Sequence, residues 1–144
     1  MSPTAPSRRT LSSWLLLACG IWLIGLGFYF IFLRPALLPE DPRFIGTSVE
    51  ALRSAAPGLE AWLGKVFTVM GGFMAGAGVL VVFVARSAMS VRQPGAGTAL
   101  AFTGLTTVSL MSATNFALHS DFRWVLLVPA LAWLAGLLAY VVKR

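Results

Sequence analysis

Four long uncharged stretches constrain this chain more than anything else in it: Trp14 to Leu33, Val66 to Ala85, Gly97 to Leu118 and Trp124 to Val142. A hydrocarbon core about 30 Å thick is crossed by about 20 apolar residues in helical form. Lipid offers no partner to a backbone N–H or C=O, so each stretch is expected to be α-helical along its whole length. The reading is an all-α, polytopic membrane protein: a four-transmembrane-helix bundle in a single domain spanning residues 1–144. The third stretch is the most polar, with Thr98, Thr103, Thr106, Thr107, Ser109, Ser112, Thr114 and Asn115, and needs neighbours to stay inserted. Composition agrees, since 58% of residues are apolar and only 11% are charged, against roughly a quarter charged in soluble domains. Disorder is excluded on the same ground, because it requires low hydrophobicity.

The net charge of +6 would by itself suggest a nucleic-acid partner. Its placement gives it another meaning. Arg8, Arg9, Arg86, Arg92, Lys143 and Arg144 lie before, between and after the spans on one side, with no acid among them. On the other side, Arg34, Arg43, Arg53, Lys65 and Arg123 stand against Glu40, Asp41, Glu50, Glu60 and Asp121, five against five. The positive residues sit in short segments next to span ends, where the positive-inside rule acts most strongly. Both termini are therefore expected in the cytoplasm, and residues 34–61 outside it. The basic residues act as topology determinants and can contact lipid headgroups; no nucleic-acid partner is expected.

One cysteine, Cys19, and one histidine, His119, exclude an internal disulfide framework, a multi-cysteine metal site and a bis-histidine haem within one chain. Two export-signal patterns occur near the N-terminus. Ser7-Arg8-Arg9-Thr10-Leu11 has the look of a twin-arginine signal and Leu16-Leu17-Ala18-Cys19 that of a lipoprotein box. The apolar run continues for 14 residues past Cys19, longer than a cleavable h-region, so an uncleaved first helix is expected.

In the 34–61 loop, Pro35, Pro39 and Pro42 forbid a continuous helix. Leu38 to Pro42 reads as a turn or extended surface stretch. Thr47 with Glu50 fits a capping box that opens a short amphipathic helix with Val49, Leu52 and Ala56 on one side, resting on the membrane surface. Pro57 and Gly58 break it. Glu40 and Asp41 are adjacent carboxylates that could serve acid–base or metal chemistry; the competing reading is a solvated turn paired with Arg43 or Arg34. Together Glu40, Asp41 and Arg43 form the candidate docking segment of this loop.

No Asp, Glu, Lys, Arg or His falls mid-span, which disfavours proton- or ion-coupled transport. The second span is dense in glycine. Gly72-Phe73-Met74-Ala75-Gly76 is a GxxxG pattern, and Gly71 with Ala75 repeats it one step round. Small residues at this spacing let helices approach closely. The first reading is packing within the chain and the second a homo-oligomer or partner-protein face.

In the third span, at 100° per residue, Thr103, Thr107 and Thr114 share one face within about 40°, and Ser112, Asn115 and His119 a second within about 60°. Hydrogen bonding across helices explains such groups; a polar lining for a small-molecule or pigment pocket opening near His119 is the alternative. His119, beside Ser120 and Asp121, is the sole cofactor-ligand candidate and could also sense pH. Its competing reading is an interfacial residue bonded to Asp121 or a headgroup. Pro129 is expected to free the carbonyl of Val125 and bend the fourth span. Trp22 to Leu26 and Trp133 to Leu137 match in pattern, each with a tyrosine three residues on (Tyr29 and Tyr140), which hints at an inverted repeat.

Four spans in this length, an external loop after the first, and Val69-Met70-Gly71-Gly72-Phe73-Met74-Ala75-Gly76 opening the second resemble small uncharacterised bacterial inner-membrane proteins of the broad DoxX-like kind. The resemblance covers layout and carries over no catalytic residue. It implies an association with oxidoreductase or quinone pathways for some members. The expectation is an accessory or structural subunit of a larger membrane complex, with no cofactor or metal predicted and with enzyme activity left open as the less favoured reading. Alternatives are a small-solute or lipid-type transporter using the third-span polar face, and a membrane oxidoreductase subunit in which pigment, quinone or lipid is bound.

Overall fold

The computed structural model describes residues 10–89 and 91–142. Most of the twin-arginine pattern and four of the topology charges (Arg8, Arg9, Lys143 and Arg144) lie outside the described residues. Among those described, all regular structure is helical: α1 (Leu11–Phe32), α2 (Glu40–Ile45), α3 (Val49–Ala55), α4 (Leu59–Arg86), α5 (Ala96–Gly104), α6 (Leu110–Ala117) and α7 (Arg123–Val142). A π-helical turn, Leu105–Ser109, joins α5 to α6. α1, α4, the α5–α6 rod and α7 are each long and apolar enough to cross a membrane, so the chain has the build of a multi-pass membrane protein. α4 begins seven residues before the uncharged stretch that marks it in the sequence, and its 28 residues reach about 42 Å at 1.5 Å per residue.

α1 is the central helix. It packs along α4 on one side and α7 on the other, while the α5–α6 rod packs on α7. The α1–α4 seam is made by glycines seven residues apart in each antiparallel helix. A Cβ on Gly27 would lie 2.6 Å from the Gly71 carbonyl oxygen and from the Ala75 nitrogen, and one on Gly78 would lie 2.7 Å from the Gly20 oxygen. No side chain fits between these backbones, so the four glycines fix how closely the helices approach.

The same device recurs on α7 and α5. Gly136 makes room for Leu16 of α1, and Gly104 accommodates the Trp133 indole, whose ring would collide with any Cβ there. The Trp133 Nε1–H donates to the Leu100 carbonyl at 3.0 Å, satisfying the one polar atom of a fully buried ring. The matching segment in α1 differs, since Trp22 is half-buried and Gly25 meets nothing within 4 Å. The tryptophan-centred pattern is thus used in two unlike ways.

In the third rod Ala96, Leu100, Gly104, Val108 and Ser112 form one buried stripe at intervals of four. A regular α-helix would carry such a stripe round by about 40° per step. The wider π turn absorbs part of that drift. α7 runs on through Pro129, whose carbonyl accepts a weak hydrogen bond from the Cys19 thiol at 3.8 Å.

Two sequence expectations for the loop are corrected. Leu38 to Pro42 is not a turn or extended strip; α2 begins at Glu40 behind Pro39. Pro42 is tolerated because first-turn N–H groups have no intrahelical acceptor in any case. The cap of α3 is Ser48, not Thr47: the Ser48 hydroxyl accepts from the Ala51 N–H at 3.1 Å. A hydrogen bond from that hydroxyl and from its own backbone N–H hold the exposed Glu50 carboxyl below its ordinary pKa, the backbone bond contributing more.

Candidate functional site

Two regions gather the sequence-derived candidates: the glycine-rich face of α4 and the polar end of the bundle where the 34–58 loop meets the α6–α7 turn. On α4 the four proposed packing residues divide. Gly71 and Ala75 lie in the seam against Gly27. Gly72 and Gly76 pack against nothing among the described residues. Both are exposed, and a Cβ at either would meet nothing within 4 Å. They floor an open apolar groove walled by Phe73, Ala77, Val79 and Leu80, with Phe73 77% exposed.

At the loop end, Glu40 turns inward and Asp41 does not. Glu40 is 4% exposed, and its Oε1 accepts from the Ser120 hydroxyl at 2.8 Å. Its Oε2 is buried with no hydrogen-bond partner. The Asp41 carboxylate accepts from the Leu38 N–H at 2.8 Å and so fastens the start of α2. The two carboxylates therefore do not converge on one site, and neither forms the solvated pair with Arg43 or Arg34. Arg43 pairs instead with Asp121 at 3.2 Å. This exposed bridge contributes at most about 1 kcal/mol, while the buried Glu40–Ser120 bond ties the loop to the helix turn. Ser120 is the residue that sequence reasoning missed. Its neighbour His119 drew attention, but nothing in the residue order marks a serine as the partner of a glutamate 80 positions away.

His119 itself is exposed, with φ 52°. It occupies the left-handed position that ends α6: its N–H donates to the Phe116 carbonyl and the Ser120 N–H to that of Asn115, the Schellman arrangement usually filled by glycine. Its described role is backbone geometry. Among the described residues no three or more His, Cys, Asp or Glu side chains are grouped to hold a metal. Nearby, Arg34 lays its guanidinium 3.5 Å from the centre of the Phe67 ring. Burial pulls its pKa down, opposed by the charges of Asp41, Tyr29 and Glu40.

The third-rod polar groups bond differently from expectation. Among the described residues, those of Thr103, Thr107 and Asn115 do not reach across helices. The hydroxyls of Thr103 and Thr107 donate to the carbonyls of Ala99 and Thr103, and the Asn115 amide donates to the Met111 carbonyl, all on their own rod. Such bonds let polar side chains sit in an apolar rod without a neighbour. Ser112 is buried in the stripe and Thr114 is exposed.

Comparison of the chain with protein-family models, with curated proteins and with solved structures finds no match.

Proposed function

We propose that this chain is a multi-pass protein of the bacterial inner membrane, with both termini cytoplasmic, and that it serves as an accessory or structural subunit of a larger membrane complex. It docks a transmembrane helix, from another protein or a second copy, in the groove over Gly72 and Gly76. The observation that carries this reading is the division of α4. One small-residue face is consumed by α1, and a second, one residue round the helix, is left open. Without a hydrophobic drive between helices in lipid, close backbone approach is a principal source of association, and this groove offers it. The third-rod hydroxyls, bonded to their own backbone, ask for no transported solute.

Gentle solubilisation from native membranes followed by sizing tests the reading. The wild-type chain should migrate as part of a larger assembly, and the Gly72→Leu/Gly76→Leu variant as a folded monomer. A wild-type chain that runs alone contradicts it.

A further inference from the structure

We propose that the open cavity where residues 35–39 and α3 meet the start of α4 binds a zwitterionic phospholipid headgroup, one that carries a primary ammonium beside its phosphate. Arg53 takes the phosphate and Glu60 the ammonium. The inference uses the reading of the chain as membrane-spanning and is independent of what occupies the open face of α4.

The cavity follows from the punctuation of the chain. Pro35 stands just past the end of α1 and Pro39 just before α2. Each lacks an N–H and blocks a helix from running through the segment between them. Residues 35–39 therefore cross the end of the bundle as non-helical backbone. α3 folds back on α4, where the Arg53 Nε–H donates to Glu60 Oε1 at 2.8 Å. Between these pieces lies a space of about 360 Å³, walled by Pro35, Leu37, Leu38 and Val49, with Arg53 and Glu60 in its lining. Small-ligand sites run from about 300 to 1,000 Å³.

Charge decides what fits. A lone cation would meet Arg53 and a lone anion would meet Glu60, and such like-charge encounters reject a ligand. A group bearing both signs satisfies both residues. Glu50, one turn back on α3, is exposed and outside the lining, so the lining stays balanced. The bridge uses Nε of Arg53 and Oε1 of Glu60. Among the described residues no hydrogen bond takes up the terminal nitrogens of Arg53 or Oε2 of Glu60. Guanidinium nitrogens donate to phosphate oxygens, and a primary ammonium donates to a carboxylate oxygen. The apolar walls suit the glycerol and first methylenes that follow a lipid headgroup. Depth favours a lipid over a free zwitterion. Trp62, two residues past Glu60 on α4, is 62% exposed, and tryptophan near the end of a span marks the headgroup level.

The test is native mass spectrometry of the purified full chain, given equal amounts of phosphatidylethanolamine and phosphatidylglycerol with the same acyl chains. The wild type should retain phosphatidylethanolamine in excess by about tenfold or more, the ratio that one added charged hydrogen bond sustains. Arg53→Gln/Glu60→Gln should lower that excess at least fivefold. Val49→Trp, which fills the cavity and leaves both charges in place, should do the same, and it decides the matter should the double variant unfold. Arg43→Gln, in the exposed bridge to Asp121, should leave the excess intact. Free leucine, an apolar zwitterion without a lipid tail, should not displace the lipid. Equal retention of the two lipids, or an excess of phosphatidylglycerol, overturns the proposal. So does a preference untouched by Val49→Trp or by a folded Arg53→Gln/Glu60→Gln, or one lowered as much by Arg43→Gln. Displacement by leucine would assign the cavity to a free amino acid and overturns the lipid assignment.

Discussion

The two glycine faces of α4 differ by one residue in register and by everything in environment. Gly71 and Gly78 sit against the backbone of α1, where an added Cβ would fall within 3 Å of a main-chain oxygen. Gly72 and Gly76 sit over open space. The faces are chemically alike, and the GxxxG spacing belongs to the open one. The closed one repeats every seven residues and finds its complement, also at seven, in Gly20 and Gly27 of α1. On α4, what distinguishes a structural glycine from an available one is the presence of a matching glycine on the facing helix, not the motif around it.

The comparison can be broken most forcefully from the closed side. Gly71→Leu drives a side chain into the Gly27 carbonyl and should destabilise the chain by about 3 kcal/mol, the upper part of the overpacking range, read as an earlier unfolding midpoint in a mixed-micelle denaturant titration. Gly104→Ala extends the idea to a side-chain neighbour. Its Cβ would strike the Trp133 ring, and a net loss of about 2 kcal/mol is expected after the small gain in helix propensity.

A contrast in kind comes from the loop end, where fastening is polar. Ser120→Ala leaves the buried Glu40 carboxylate with neither oxygen bonded and should cost about 1 to 3 kcal/mol. Glu40→Leu/Ser120→Ala should recover most of that loss, because the unmet hydrogen bond disappears with both partners. The smallest effect sharpens the comparison from the open side: Gly72→Leu should change folding stability by less than about 0.5 kcal/mol. A large loss there would erase the distinction between the faces.

Much of the helical layout was legible from the four uncharged stretches, because a bilayer-length apolar run leaves the backbone few alternatives. The lower boundary of α4 was not, since Glu60 and Lys65 lie within the helix but end the uncharged run. Gly71 and Gly72 could not be told apart in one sequence. Their difference depends on which helix faces them, although the sevenfold spacing shared with Gly20 and Gly27 was a signal open to a search for matched pairs. The stripe from Ala96 to Ser112 was visible as a period of four, which 3.6-residue reasoning splits between faces. The threonines were legible as polar but not as self-bonded, because the choice between a neighbouring helix and the preceding turn is made by rotamer and packing. The inward turn of Glu40 follows from its tertiary partner Ser120, which leaves no trace in local pattern.

The claim that the open face of α4 receives another helix is tested most directly by photocrosslinking in native membranes. A photoreactive residue replaces Phe73, on the groove, and in a parallel variant Leu134, exposed on α7. The account predicts protein adducts, with a partner or a second copy, from position 73 and lipid adducts alone from position 134, and it predicts that adding Gly76→Leu abolishes the former. Lipid adducts alone from position 73 would contradict it.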